Sequence, residues 1–430
     1  MSARHHVLSN CVGVLCCFLI LATTPARGLA AERTPPIEGH ADARWQALSS
    51  RIKTAETGGR RLTILQIGDS HTAGDYMTGR LRELAQQCFG DGGPGFLLPG
   101  RIKAQRSSQV QFHASPQWQT LREKMAGLGG FIAGGKRSFQ TLEIALPNAL
   151  SDSQVALYVR QRRADLAPFS LYSGGVNQSF AGQTLIESEG DFDVYRYTAT
   201  LASPASSVTL VARRDLSELG VLGVQWASSK GGAVVSHLGV NGARIGLLDE
   251  WRSNTVKAQL KDIAPDLVIL AFGTNDAADS TLTPDAFAQS LERTREWLSE
   301  YVRDAAVLII LPPDSLVRSP QCSQRVGKSR RHSGKARPAP LCYQNTIPAG
   351  VCGVQSNPRL HELRSQMRQA AERYQWRVWD WSALTGQNCG ARLWQHEGGT
   401  LYQPDGIHLT PEGYGVSADH LFRAILAPGR

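Results

Sequence analysis

Four short blocks of the sequence carry the residue types that nucleophilic catalysis needs. Gly68-Asp69-Ser70-His71 follows the apolar run from Leu62 to Ile67, which presents a serine hydroxyl where a strand ends and a helix begins. A helix amino terminus favours negative charge at that point. A serine there otherwise serves as a simple N-cap. Near the far end, Asp405-Gly406-Ile407-His408 sets an acid three residues ahead of a histidine. Asp405 would orient the imidazole and His408 would take the Ser70 proton. Gly239-Val240-Asn241-Gly242-Ala243 and Gly273-Thr274-Asn275-Asp276 each follow a further apolar run. A glycine there lets a backbone N–H approach a reacting oxygen, and an asparagine amide supplies a second donor. Together with the Ser70 N–H these make an oxyanion hole of three donors, with Gly239 and Gly242 competing for the glycine position.

The elements that must hold these blocks alternate between apolar strands and helical periodicity, the signature of a parallel sheet covered by helices. Strands are expected at Leu62 to Ile67, Ala233 to Leu238, Leu267 to Phe272, Ala306 to Leu311 and Arg377 to Asp380. Helices are expected from about Thr72 to Gln87, Leu247 to Ile263, Pro284 to Asp304, Asn357 to Tyr374 and Pro411 to Ile425. The result is a five-stranded three-layer α/β domain, with every chemical block at the carboxyl edge of its strand. Between about Leu98 and Ala227 helix-length patterns vanish. Short alternating runs replace them, such as Phe139 to Ile144, Val155 to Val159, Tyr195 to Leu201 and Val208 to Ala212. This reads as a β-sandwich inserted in the α/β unit. The organisation expected is residues 31–98 and 229–430 for the α/β domain, with the insert at 99–228.

The chain of 430 residues has 42% hydrophobic and 19% charged residues, which excludes wholesale disorder and suits more than one folding unit. Its net charge of +9 is unevenly placed. Arg4 and Arg27 lie in the first thirty residues, which hold no acid. Arg318, Arg325, Lys328, Arg330, Arg331, Lys335 and Arg337 stand in a long segment, 312–358, with no acid among them. That basic loop would attract an anionic polymer such as cell-wall glycan, or be merely solvated. Nucleic acid is disfavoured, since no aromatic residue interleaves the charges.

Residues 1–30 have a basic start, an apolar run from Cys11 to Ala22 and small residues up to Ala30, the order of a secretory signal peptide. The run is too short to span a bilayer. Removal of that segment takes Cys11, Cys16 and Cys17 with it and leaves Cys88, Cys322, Cys342, Cys352 and Cys389. In an oxidising compartment the last four are expected to form one or two disulfides. No Cys-x-x-Cys or Cys/His ligand spacing occurs, so no metal site is expected. Trp376, Trp379 and Trp381 are expected to pack in the core.

In this order, Gly-Asp-Ser-x, a glycine block, Gly-x-Asn-Asp and Asp-x-x-His resemble the SGNH (GDSL-type) hydrolases. The resemblance spans roughly 62–90 and 230–425. It implies a flavodoxin-like α/β/α fold with catalytic Ser70, Asp405 and His408 and oxyanion donors Ser70, Gly242 and Asn275. The family pattern favours Gly242 over Gly239. His71 departs from the usual leucine, and a packing role is expected of it. Within the superfamily, Ile64 to Gly74 and Phe89 to Phe96, with a β-module between the first two blocks, look like bacterial peptidoglycan O-acetylesterases. These carry a carbohydrate-binding-like sandwich at the same place. The resemblance implies a periplasmic or secreted O-acetylesterase on an acetylated glycan, working without cofactor or metal. A lipid esterase, an O-acetyltransferase using the same residues, and a wall-binding protein with vestigial catalytic residues are the competing readings.

Overall fold

The computed structural model describes residues 34–427 apart from 124–125, 136, 164–166, 203, 214–219, 323–340 and 397–399. The expected signal peptide, and all of the basic run except Arg318, lie outside the described residues.

A central sheet is built from β1 (Ile37–Glu38), β2 (Leu62–Gly68), β3 (Ala233–Gly239), β4 (Leu267–Ala271), β5 (Ala306–Leu311) and β6 (Arg377–Asp380) in the order β1-β6-β5-β4-β2-β3. Five strands are parallel, and β1 adds a sixth, antiparallel edge that the five-stranded expectation lacks. Two residues are too few to show a period, and only pairing with Val378 and Trp379 defines that strand. β2, β4 and β5 are buried along their whole length, because helices cover both faces. On one face α1 (Ala43–Glu56), α3 (Tyr76–Phe89) and α7 (Pro411–Leu426) enclose an apolar core with Ile64, Ile269 and Leu308. On the other, α4 (Asn254–Ile263), α5 (Pro284–Tyr301) and α6 (Arg359–Tyr374) pack on Ile67, Leu270 and Ile309.

Three expected helices differ from those observed. The first splits into α2 (Ser70–Ala73) and α3, because Asp75 takes a left-handed conformation at φ 48°. Its carboxylate is fixed there by Ser108 N and Oγ at 2.6 and 2.7 Å, by Thr78 Oγ1, and by buried Arg82 at 3.3 Å. The helix expected from Leu247 separates into a 3₁₀ turn, Ile245–Glu250, and α4, which Ser253 caps through Val256 N. α5 ends at Tyr301 rather than Asp304.

The chain between β2 and β3 forms two antiparallel sheets of five and seven strands, the seventh being Gly95–Leu97, which pairs with Gly220–Ser228. Their inner residues, among them Leu142, Leu171 and Leu210 from one sheet and Leu157, Tyr197 and Trp226 from the other, share one core. Arg196 and Tyr158 bond Asp262 of α4, and Glu187 accepts from Thr255, so these sheets are anchored on the helical layer. Within 312–358, Leu316–Arg318, Gly353–Ser356 and Leu341–Tyr343 make a three-stranded sheet. Disulfides Cys322–Cys352 and Cys342–Cys389 tie it to itself and to the helix Gly390–His396. Trp376, Trp379 and Trp381 are buried, as the packing reading expects.

The turn after β2 is in backbone contact with both neighbouring strands. A Cβ on Gly239 would sit 2.0 Å from Ala73 N, and one on Gly68 would sit 2.5 Å from Ala271 O. Gly242 instead has open space around it and needs glycine for its φ of 76°. Gly239→Ala should therefore cost about 3 kcal/mol or more in urea unfolding, and Gly242→Ala about 1 kcal/mol. Equal losses at the two positions would contradict that close approach.

Candidate active site

Ser70 opens α2 at the carboxyl edge of β2, one residue after Asp69, whose carboxylate accepts from His71 N at 2.9 Å. First-turn N–H groups have no intrahelical acceptor, which leaves the Ser70 N–H available. Ser70 Oγ lies 2.9 Å from His408 Nε2. The other ring nitrogen, Nδ1, lies 2.7 Å from Asp405 Oδ2. Asp405 Oδ1 accepts from the backbone N–H of Ile407 and of His408, at 2.8 and 3.0 Å. Burial alone would raise the Asp405 pKa, but these three hydrogen bonds outweigh it and hold the carboxyl below its ordinary range. An ionised Asp405 fixes the imidazole with Nδ1 protonated, which leaves Nε2 as the acceptor facing the serine.

Asn275 stands in the short helix Thr274–Ala278 after β4, and its amide reaches back toward the serine turn. Nδ2 donates to Ala243 O at 3.0 Å and to Asp69 Oδ2 at 3.4 Å. One amide hydrogen is thus firmly committed, and the other makes a contact at the long limit of a hydrogen bond. Gly242 sits in the turn after β3, whose Asn241 donates to Ala104 O while Gln105 reaches Gly239 O. The loop leading into the two antiparallel sheets thus braces the glycine turn. The sequence-based site residues are accordingly brought together: Ser70, His408 and Asp405 as one hydrogen-bonded chain, and Asn275 tied to Asp69, the residue before Ser70.

Further residues complete the surroundings, with His71 and Trp381 in the packing roles expected of them and Tyr414 added by the fold. His71 is buried, with its ring 5.3 Å from that of His408 and Nδ1 2.8 Å from the Tyr414 hydroxyl. Burial, followed by the neighbouring His408, pushes its pKa down to about 3. It is a neutral support and cannot compete as a base at physiological pH. Trp381 packs edge-on against it and bonds Ser417 through Nε1. Asp69 is buried, and that burial raises its pKa to about 7, helped by Asp276, itself raised by burial to about 6. Nothing local in Gly-Asp-Ser-His announces such a shift, because it comes from packing by distant residues. Among the described residues no group of three or more His, Cys, Asp or Glu is placed to hold a metal, and no helix is long and apolar enough to cross a membrane.

Residues 200–416, half of the chain, match the model of the GDSL-like lipase/acylhydrolase family. The chain belongs to that family. This GDSL-like acylhydrolase is similar to a solved structure described as a peptidoglycan O-acetylesterase in action, at 26% identity and a TM-score of 0.69, over 90% of this chain and 97% of that one. Weaker likenesses are an acetyl xylan esterase (14% identity, TM-score 0.30, 45% of this chain and 81% of that one) and a family two carbohydrate esterase from Clostridium thermocellum. The latter has 11% identity and a TM-score of 0.28 over 77% of this chain and 97% of that one. No curated protein matches the chain. The GDSL-like acylhydrolase is thus an esterase with the SGNH fold.

The raised Asp69 pKa has a signed consequence for stability. Between about pH 4 and pH 7 folded Asp69 holds a proton that the unfolded chain has lost, so its contribution to stability falls as pH rises through that window. His71 acts oppositely, since the unfolded chain gains a proton below its ordinary value and the folded one does not until about pH 3. Asp69→Asn keeps the capping oxygen and removes the first effect. The melting temperature of the variant relative to the parent should therefore climb between about pH 4 and pH 7 and then level off. A difference that stays constant with pH would place the Asp69 carboxyl in its ordinary range.

Proposed function

We propose that the protein is a serine O-acetylesterase of the bacterial envelope that removes O-acetyl groups from a cell-wall polysaccharide, peptidoglycan first among them. The 2.9 Å contact between Ser70 Oγ and His408 Nε2, with Asp405 behind the ring, carries the reading. As His408 Nε2 takes the hydroxyl proton, Ser70 Oγ bonds the acetyl carbonyl carbon and the carbonyl oxygen becomes an oxyanion. The N–H groups of Ser70 and Gly242 and the Asn275 amide stabilise it, the last by exchanging its long contact to Asp69 for a charged acceptor. Collapse breaks the ester C–O bond, and the sugar oxygen leaves with the proton from His408. Water, deprotonated by the same histidine, then attacks acetyl-Ser70, releasing acetate and restoring the hydroxyl.

Similarity over nearly the whole of both chains to a peptidoglycan O-acetylesterase supports the wall-glycan substrate, and the insert supports a polymer. A sandwich whose leading loop braces the Gly239–Gly242 turn is placed to hold a glycan chain near the mouth, and we assign residues 99–228 that role. The expected export and the basic run at 325–337 agree with an anionic substrate outside the cytoplasm. Transfer of the acetyl group to a sugar hydroxyl would use the same residues with the hydroxyl replacing water.

Ser70→Ala and His408→Ala should each remove nearly all acetate release without unfolding the protein, and the double variant should be no worse, because one nucleophile–base unit is broken. Asn275→Ala should lower kcat by ~10²–10³ with a smaller change in KM, since the amide meets charge that develops only in the transition state. A purely KM effect of Asn275→Ala, or near-native turnover by either of the other variants, would overturn these roles.

A further inference from the structure

A cavity of about 420 Å³ opens next to the catalytic loop, with Asp405 itself in its wall. Leu316, Val354 and Tyr402 give it an apolar floor, and Arg318 and Arg392 bring two guanidinium groups to its rim. Among the described residues neither arginine forms an ion pair. Arg318 donates to the Pro404 carbonyl at 2.9 Å, and Arg392 to the Gln395 side chain at 3.3 Å. Asp405, the one carboxylate among the described residues of the wall, is already bonded to His408. Burial, and then the positive charge of Arg318, hold the Arg392 guanidinium below its ordinary pKa, so the two like charges feel each other, with no counter-ion among the described residues. An anion between them would remove that repulsion, and a planar carboxylate matches the guanidinium fork.

The fold holds this pair deliberately near the catalytic loop. Arg318 ends the strand Leu316–Arg318, whose Leu316 N–H bonds Gly406 O at 2.8 Å. Arg392 lies on the helix Gly390–His396, which follows Cys389 and is thereby tied through Cys342 to the same three-stranded sheet. One arginine is therefore fixed to the catalytic loop and the other to the module packed on it.

We propose that this cavity is a subsite for a carboxylate carried by the acetylated polymer, clasped between Arg318 and Arg392 while Ser70 works on the ester. The proposal rests on the wall-glycan reading and adds what that reading lacks, a reason for selecting an acidic polymer over a neutral one. Arg318 is the described member of the basic run in the sequence, so at least that cation has a site to serve. Wall glycan carries carboxylates on its peptide stems, whereas neutral acetylated glycans have none.

The test compares the parent with Arg318→Gln/Arg392→Gln on O-acetylated peptidoglycan, on the same material with its carboxylates converted to neutral amides, and on nitrophenyl acetate. Removing a charge-assisted contact should raise the apparent KM roughly tenfold. The parent should show that rise on the amidated polymer, and the double variant should show it on the native polymer and no longer distinguish the two. Nitrophenyl acetate turnover should be the same throughout. A parent indifferent to amidation, or a variant that keeps the preference, overturns the subsite. If the parent cleaves nitrophenyl acetate and neither polymer, the wall-glycan reading falls instead. Inhibition of nitrophenyl acetate hydrolysis by an oligogalacturonate then decides the subsite. Inhibition lost in the double variant supports it, and inhibition that is absent in the parent or equal in both overturns it.

Discussion

The turn carrying Ser70 has no room to move, because its backbone is pressed against the ends of both neighbouring strands. Gly68 and Gly239 allow that approach, and a Cβ at either would collide with Ala271 O or Ala73 N. The parallel register that pairs Gly239 and Ala271 with Gly68 brings the three strand ends level. The loops that leave them therefore converge on one edge, where Ser70, Gly242 and Asn275 all reside. The position of the chemistry is a consequence of sheet packing: the chain leaves β2 at that edge, and re-enters the sheet at the opposite, amino end of β3, where the Ala233 N–H bonds Gly90 O.

Burial then divides residues of the same type into different roles. His71 and His408 have rings 5.3 Å apart, yet one is buried against Tyr414 and Trp381 and kept neutral. The other faces solvent with Asp405 behind it. The acids divide in the same way. Asp405 keeps its charge because three donors outweigh desolvation, while Asp69 and Asp276, buried with poorer compensation, are pushed toward neutrality. A neutral Asp69 near the Asn275 amide adds no negative charge where an oxyanion must form. The core that positions the donors thus also raises the pKa of the two carboxyls that would oppose the chemistry, to about 7 and about 6.

Much of this was legible in the sequence, and the exceptions have physical causes. The strands Leu62–Gly68, Leu267–Ala271 and Ala306–Leu311 are buried on both faces, so their continuous apolar runs identify them without partners. The break at Asp75 could not be read locally, because Ser108, distant in sequence, holds its left-handed backbone together with Arg82. Nor could the strand Ile37–Glu38, which exists only through pairing with β6, or the small sheet inside 312–358. Cysteine content called for disulfides, but the pairs Cys322–Cys352 and Cys342–Cys389 required the three-dimensional arrangement. At the site, the residue types of Ser70, Asp405 and His408 were visible from order and spacing. The supports Tyr414 and Trp381 and the Arg318–Arg392 cavity were not, since each depends on segments that meet only in the folded chain.

The proposed catalysis depends on His408 and Asp405 making Ser70 a nucleophile. Labelling with a sulfonyl fluoride, mapped by mass spectrometry and followed against residual esterase activity, tests it most directly. The account predicts a single label on Ser70, activity lost in proportion to labelling, and no appreciable labelling once His408 is replaced by alanine. Full labelling with activity retained, a label on another residue, or undiminished reaction in His408→Ala would contradict it.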